Sequence, residues 1–188
     1  MDQAIVACST PPGRGAISVV RISGKEVKRI INNLFSLEFD HGTSKVAETS
    51  LSEEFNEKCL ISCFEGPSSY TGEDVAEISC HGNPLIVRAL IQKCIELGAR
   101  NANPGEFTQR AFLNNKIDLA QSEAVIDLIN ASSGAAMVAA SKSVSGNFGE
   151  NVDKILESLR KIRNRFREMD WIRSWIRRRE ILYGTTSN

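Results

Sequence analysis

Missing from the 188 residues is any apolar run approaching the roughly 20 that a membrane-spanning helix requires. That excludes a helical membrane span within this sequence. Missing too is the phosphate-cradling pattern G-x-x-x-x-G-K-[ST]. Gly24-Lys25 runs on into Glu26, and Gly146 to Gly149 into Glu150, so these residues contain no P-loop. Histidine is scarce. His41 and His81 have no serine or cysteine arrangement that suggests nucleophilic catalysis, and no catalytic residue is assigned. The five cysteines are an odd number, with no close C-x-x-C pair and no signal-peptide pattern ahead of them. Reduced thiols in a cytosolic protein are therefore expected. Ligand pairs at structural-zinc spacing are also missing, so Cys80-His81 is not assigned to a metal. The formal net charge is zero, so bulk charge favours neither nucleic acid nor membrane. The zero hides an asymmetry: from Arg160 to Arg179, nine basic residues face only Glu168 and Asp170. The plainest reading is a solvated helix face; an RNA-contacting helix and a surface for a partner are the alternatives.

At 41% hydrophobic and 24% charged, the composition is that of an ordinary globular protein. "AIVACS" (4–9) and "AISVVRIS" (16–23) read as strands around the turn "TPPGRG". In "KEVKRIINNLF", Val27, Ile30, Ile31 and Leu34 fall on one helical stripe. Residues 36–57 are polar and weakly patterned, and are expected to be loop-rich. "KCLISCF" and "VAEISC" are further strands, separated by the turn-prone "EGPSSYTGED". "NPLIVRALIQKCIELG" has every helix signal: Asn83 as N-cap, Pro84 at the first position and Gly98 as stop. Strands alternating with helices predict an α/β (α+β) layer domain.

From Asp118 the pattern is helical for about 28 residues, roughly 40 Å at 1.5 Å per residue. Asp118 with Gln121 forms a capping-box signature. Gly146 and Gly149 mark a break, after which Val152, Ile155, Leu159, Ile162, Phe166 and Met169 recur at threes and fours. A helical hairpin in need of a partner is expected. Trp171 and Trp175, four apart, would signal an unmet hydrophobic contact if exposed. "NKID" (115–118) spells the guanine-reading pattern of GTPases, but without a phosphate loop the match is accidental, and Asp118 serves better as a helix cap.

Two charges interrupt the apolar strands. Glu77 shares a strand face with Val75 and Ser79, and Arg21 with Ile17 and Val19. A half-buried carboxylate is costly unless something pairs with it. Either the two pair with each other, or they rim a pocket. In a pocket the carboxylate suits a ligand edge with two adjacent N–H donors, and the guanidinium an anionic group. The pattern leaves both open.

At "TPPGRGAISVVRISG", "SYTGEDVAEISCHGNP" and "GARNANPGEFTQRAFLNNKIDLAQSEAVIDLINA" the sequence resembles the MnmE (TrmE) family of bacterial tRNA-modification GTPases, over about residues 3–168. The resemblance implies a folate-binding, T-protein-like N-terminal domain over 1–117 and a partial helical domain over 118–188. It implies a 5-formyl-tetrahydrofolate-type cofactor held by Arg21, Glu77 and Lys116, the last owed to the resemblance alone. It further implies a homodimer through the N-terminal domain. The implied setting is C5 modification of tRNA wobble uridine with the flavoprotein MnmG (GidA) in the cytoplasm. GTP, Mg and K belong to the full-length family's G domain, which has no counterpart here, so GTP hydrolysis by this chain alone is not expected. After about Glu168 the sequence stops resembling the family, and a truncated or frame-shifted product, or a fragment, is expected. A folate-free assembly remnant and an RNA-binding fragment are the alternative readings.

Overall fold

Alternating side chains build a six-stranded sheet. The computed structural model describes residues 3–146 and 154–169. The chain divides into two compact units, Met1–Ser122 and Glu123–Asn188. In the first, the strands are β1 (Ile5–Cys8), β2 (Gly15–Ser23), β3 (Ser44–Ser52), β4 (Phe55–Phe64), β5 (Val75–Gly82) and β6 (Arg100–Asn101). Their order across the sheet is β3-β4-β5-β2-β1-β6. All neighbours are antiparallel except β1 and β6, which run parallel.

Two helices supply most of the apolar cover. In α1 (Val27–Phe35) the predicted stripe Val27, Ile30, Ile31 and Leu34 is buried, joined by Phe35. In α2 (Pro84–Glu96) the side chain of Asn83 accepts the N–H of Leu85 at 2.9 Å, Pro84 holds the first position, and Gly98 follows with φ +106°. These helices pack with Val20, Ile22, Ile61, Ala76 and Ile78 into one core. That core also buries four thiols. Burial pushes those of Cys59 and Cys94 up to about 12 and that of Cys80 to about 11, and it raises that of Cys63.

Three expectations are corrected. Residues 36–57 are not loop-rich: β3 and the start of β4 form a hairpin through a two-residue turn at Glu53-Glu54. As the edge strand, β3 needs little apolar content; Thr49 is its only buried residue. "EFTQRAFL" forms a helix, α3 (Glu106–Leu113), in a stretch to which the sequence pattern assigns no element. The single long helix from Asp118 is two, α4 (Leu119–Asn130) and α5 (Gly134–Val144). Ser133 breaks it by taking an extended backbone, and its hydroxyl caps the N–H of Ala136 at 3.2 Å.

Residues 154–169 are helical (α6) and solvent-exposed throughout, with Ile155, Leu159, Ile162, Phe166 and Met169 all at least 46% exposed. Gly149, Val152, the proposed hairpin turn, Trp171, Trp175 and the basic run beyond Met169 lie outside the described residues. Among the described residues no helix is long and apolar enough to cross a membrane.

Candidate functional site

Strand pairing sets Arg21 of β2 directly opposite Glu77 of β5. Both lie on the sheet face turned away from the core, because Val20, Ile22, Ile78 and Ala76 take the other. The guanidinium donates twice to one carboxylate oxygen: Nε to Oε1 at 2.9 Å and Nη2 to Oε1 at 2.7 Å. The side chains are 25% and 31% exposed, so the pair is partly desolvated yet open to solvent. Of the two pattern-level alternatives, mutual pairing is what this geometry contains. Among the described residues Glu77 Oε2 has no hydrogen-bond partner, so that oxygen keeps its accepting capacity.

Aromatic rings flank the pair. The guanidinium carbon of Arg21 lies 5.1 Å from the centroid of Tyr70 and 5.7 Å from that of Phe107. Tyr70 belongs to the turn-rich segment 65–74 and Phe107 to α3, and the hydroxyls of Tyr70 and Thr108 meet at 2.9 Å. Lys116 reaches the same segment: its ammonium donates to the carbonyl of Pro67 at 2.8 Å. Asn114 donates to the carbonyl of Thr71 at 2.7 Å. At Gly72, φ +77°, an added Cβ would stand 3.1 Å from both Asn114 Cβ and Lys116 Cγ. Arg21 and Glu77 are thus in direct contact, whereas Lys116 is linked to them through the segment that carries Tyr70.

Beneath this segment lies a buried ionic network that the sequence did not disclose. Arg110 is 2% exposed and donates to Glu73 Oε2 at 2.8 Å, Glu106 Oε1 at 3.2 Å and the carbonyl of Gln3 at 3.0 Å. Glu73 also accepts from Ser23 at 2.9 Å, and Ser23 meets the hydroxyl of Thr71 at 2.7 Å. Glu106 receives both arms of Arg100 and the N–H of Asn103 at 2.9 Å. The fork from Arg100 is the main reason its carboxyl titrates at about 2. Arg110 Nε is the one sealed side-chain polar atom without a partner among the described residues. This network ties β2, α3 and the 65–74 segment together and so holds Tyr70 and Phe107 over Arg21.

The remaining polar candidates serve the frame. His81 is exposed, and its Nδ1 and backbone N–H both meet the buried Glu57 Oε1 at 2.8 Å. His41 Nδ1 accepts the N–H of Glu65. Asp118 and Gln121 form the reciprocal capping box, with N–H to side-chain distances of 2.8 and 2.7 Å. Among the described residues no group of three or more His, Cys, Asp or Glu side chains is placed to hold a metal ion.

Comparison with known proteins adds a family. The family described as "GTP-binding protein TrmE N-terminus" matches residues 4–116. The chain is 46% identical over 155 residues to a tRNA modification GTPase MnmE of Francisella philomiragia subsp. philomiragia, a match covering 82% of this chain and 34% of that protein. Two proteins of the same name from Francisella tularensis, subspecies tularensis and novicida, are 45% and 44% identical over the same shares. The chain therefore spans about a third of the length of the curated relatives it matches.

Proposed function

The chain belongs to the family of TrmE (MnmE) N-terminal domains, and from that premise we propose that its first unit binds a reduced folate of the 5-formyl-tetrahydrofolate type. The observation that carries this reading is the Arg21–Glu77 pair, flanked by Tyr70 and Phe107 on the open face of the sheet. The donor set fits such a ligand. A pterin edge offers a ring N–H beside an amino group, and Glu77 has an oxygen to receive them. Arg21 and Lys116 supply cations for the formyl oxygen or the glutamate tail. When bound, the cofactor would supply a one-carbon unit. The residues of this chain orient it and present their rings to it. The biological setting of this reading is modification of tRNA wobble uridine at C5. It would proceed in a homodimer formed through the first unit, alongside MnmG. GTP hydrolysis is not assigned to these 188 residues, which contain no phosphate-binding loop.

One observation favours a second reading, a folate-free assembly unit: Arg21 and Glu77 already satisfy each other's charge. Calorimetric titration of the full chain with 5-formyl-tetrahydrofolate separates the two. Saturable micromolar binding, weakened at least about tenfold by Glu77→Ala, is expected, because a charge-assisted hydrogen bond contributes about 1.5–3 kcal/mol. A folded chain that releases no heat would leave the assembly unit as the correct reading.

A further inference from the structure

The opposite face of the sheet carries a cavity that the folate reading does not use. It is a cleft of about 490 Å³ between the β1–β2 turn and the flank of α2, a size typical of small-molecule sites. Pro11 and Pro12 form one wall; Val87, Ile91 and Ile95, along one side of α2, form the other. Ser18 opens into it from β2. Ser18 lies three residues from Arg21 on the same strand, so it points to the other face.

Three features make this more than a groove. Ser18 is 6% exposed, yet among the described residues its hydroxyl makes no hydrogen bond; its carbonyl accepts one from the Cys80 thiol. That hydroxyl is not among the sealed unpaired atoms, so it keeps an opening, and the cleft is the space it lines. A polar group so nearly buried wants a partner. Next, Arg88 stands at the rim without an ion pair or hydrogen bond to any described residue, and among the described residues no carboxylate lines the cleft. Arg88 is therefore the one charged side chain of the described lining. Third, the half-buried thiol of Cys8 lines the same space, held by Thr10 at 3.3 Å.

We propose that this cleft is a second ligand site, separate from Arg21 and Glu77, for a small, largely apolar ring compound bearing one anionic group. Arg88 takes the anion, the Ser18 hydroxyl takes a polar ring substituent, and Pro11, Val87 and Ile91 sandwich the ring.

Cys8 reports occupancy. The other four cysteines are buried, so Cys8 is the thiol that iodoacetamide reaches first in the folded full chain. Its alkylation rate is followed by peptide mass spectrometry with 1-naphthoate, and separately with the neutral 1-naphthalenemethanol. Naphthoate is expected to slow Cys8 saturably, with the alcohol needing about ten times the concentration for lack of a charge-assisted bond. Arg88→Gln, an exposed change that leaves the core untouched, should bring naphthoate down to the level of the alcohol. Ile91→Trp should fill the cleft and remove protection by both. The proposal is overturned if neither compound protects Cys8, or if protection ignores both probe charge and Arg88→Gln. It also fails if 5-formyl-tetrahydrofolate protects Cys8 in the native chain but not in Glu77→Ala, since the cleft would then belong to the folate site. Folate binding that leaves Cys8 reactivity unchanged, alongside charge-dependent protection by naphthoate, is the expected pattern for two sites.

Discussion

Replacing Glu106 by Gln tests whether the buried network is what holds the first unit together. The native carboxyl titrates at about 2 against an ordinary 4.5, chiefly because Arg100 grips it with both arms. That displacement of roughly 2.5 pH units corresponds to about 3 kcal/mol, at about 1.4 kcal/mol per unit. The depressed value fixes the direction. The contribution is fully present above pH 4.5, where both folded and unfolded carboxyls are ionised. It shrinks as pH falls, because the unfolded chain takes up the proton first, and it is gone below about pH 2. Glu106→Gln removes the charge with little change of shape and leaves Arg110 and Arg100 facing a neutral amide. The expected loss is about 3 kcal/mol at pH 7, with mutant and native stabilities converging towards pH 2. Urea unfolding followed by methyl NMR of Ile22 and Ile78 reads this directly, since both are fully buried in the first unit. Tryptophan fluorescence would not serve, because the described part of the first unit contains no tryptophan. A gap below about 1 kcal/mol at pH 7, or one that persists undiminished at pH 2.5, would refute the assignment.

Two backbone positions give further tests. A Cβ at Gly82 would stand 2.4 Å from the carbonyl oxygen of its strand partner Gly15, whereas a Cβ at Gly15 meets nothing nearer than 3.8 Å. Gly82→Ala should therefore cost on the order of 3 kcal/mol or more while Gly15→Ala costs little; equal melting temperatures for the two variants would contradict the close strand approach. Asn83→Ala removes the cap on the Leu85 N–H and should cost about 1 kcal/mol. Asn83→Asp should restore most of it, as measured by thermal unfolding and by amide exchange in the first turn of α2.

What could be read from the sequence followed the hydrophobic effect. The apolar runs of β1, β2 and β5, the stripe of α1 and the Asn-Pro start and Gly stop of α2 were legible because each buries aliphatic side chains in the main core. The two elements missed lack that signal for different reasons. β3 is an edge strand whose inward positions, Ala47, Thr49 and Leu51, are only partly apolar, so its alternation in burial leaves little hydrophobic pattern. In α3 the inward side chains are Glu106, Arg110 and Ala111, so the helix buries a charged face and an apolar periodicity never arises. A Glu and an Arg four residues apart is the pattern that could have revealed it. At the candidate site Arg21 and Glu77 stood out as charges inside apolar strands, while Lys116 came only through the family resemblance. Tyr70 and Phe107 left no periodic trace, because a turn and a helix from distant parts of the chain bring them to Arg21.

The two ionic clusters also differ in what they can do. Arg110 and Glu106 are almost sealed and Glu73 is largely covered, so opening them exposes unpaired charge at a cost of several kcal/mol, and such a cluster acts as frame. Arg21 and Glu77 are each at least a quarter exposed, and a pair in that setting contributes only about 1 kcal/mol or less. Each flanking ring adds roughly another 0.5–1 kcal/mol to the arginine. A ligand donating two hydrogen bonds to Glu77 can match that sum, so the pair can yield while the network beneath it does not. The charged pair that satisfies itself in the free protein is thus no obstacle to the proposed binding. On the proposed reading it holds the Glu77 side chain in position on the sheet until a ligand displaces the arginine, while the network around Arg110 keeps the rings in place.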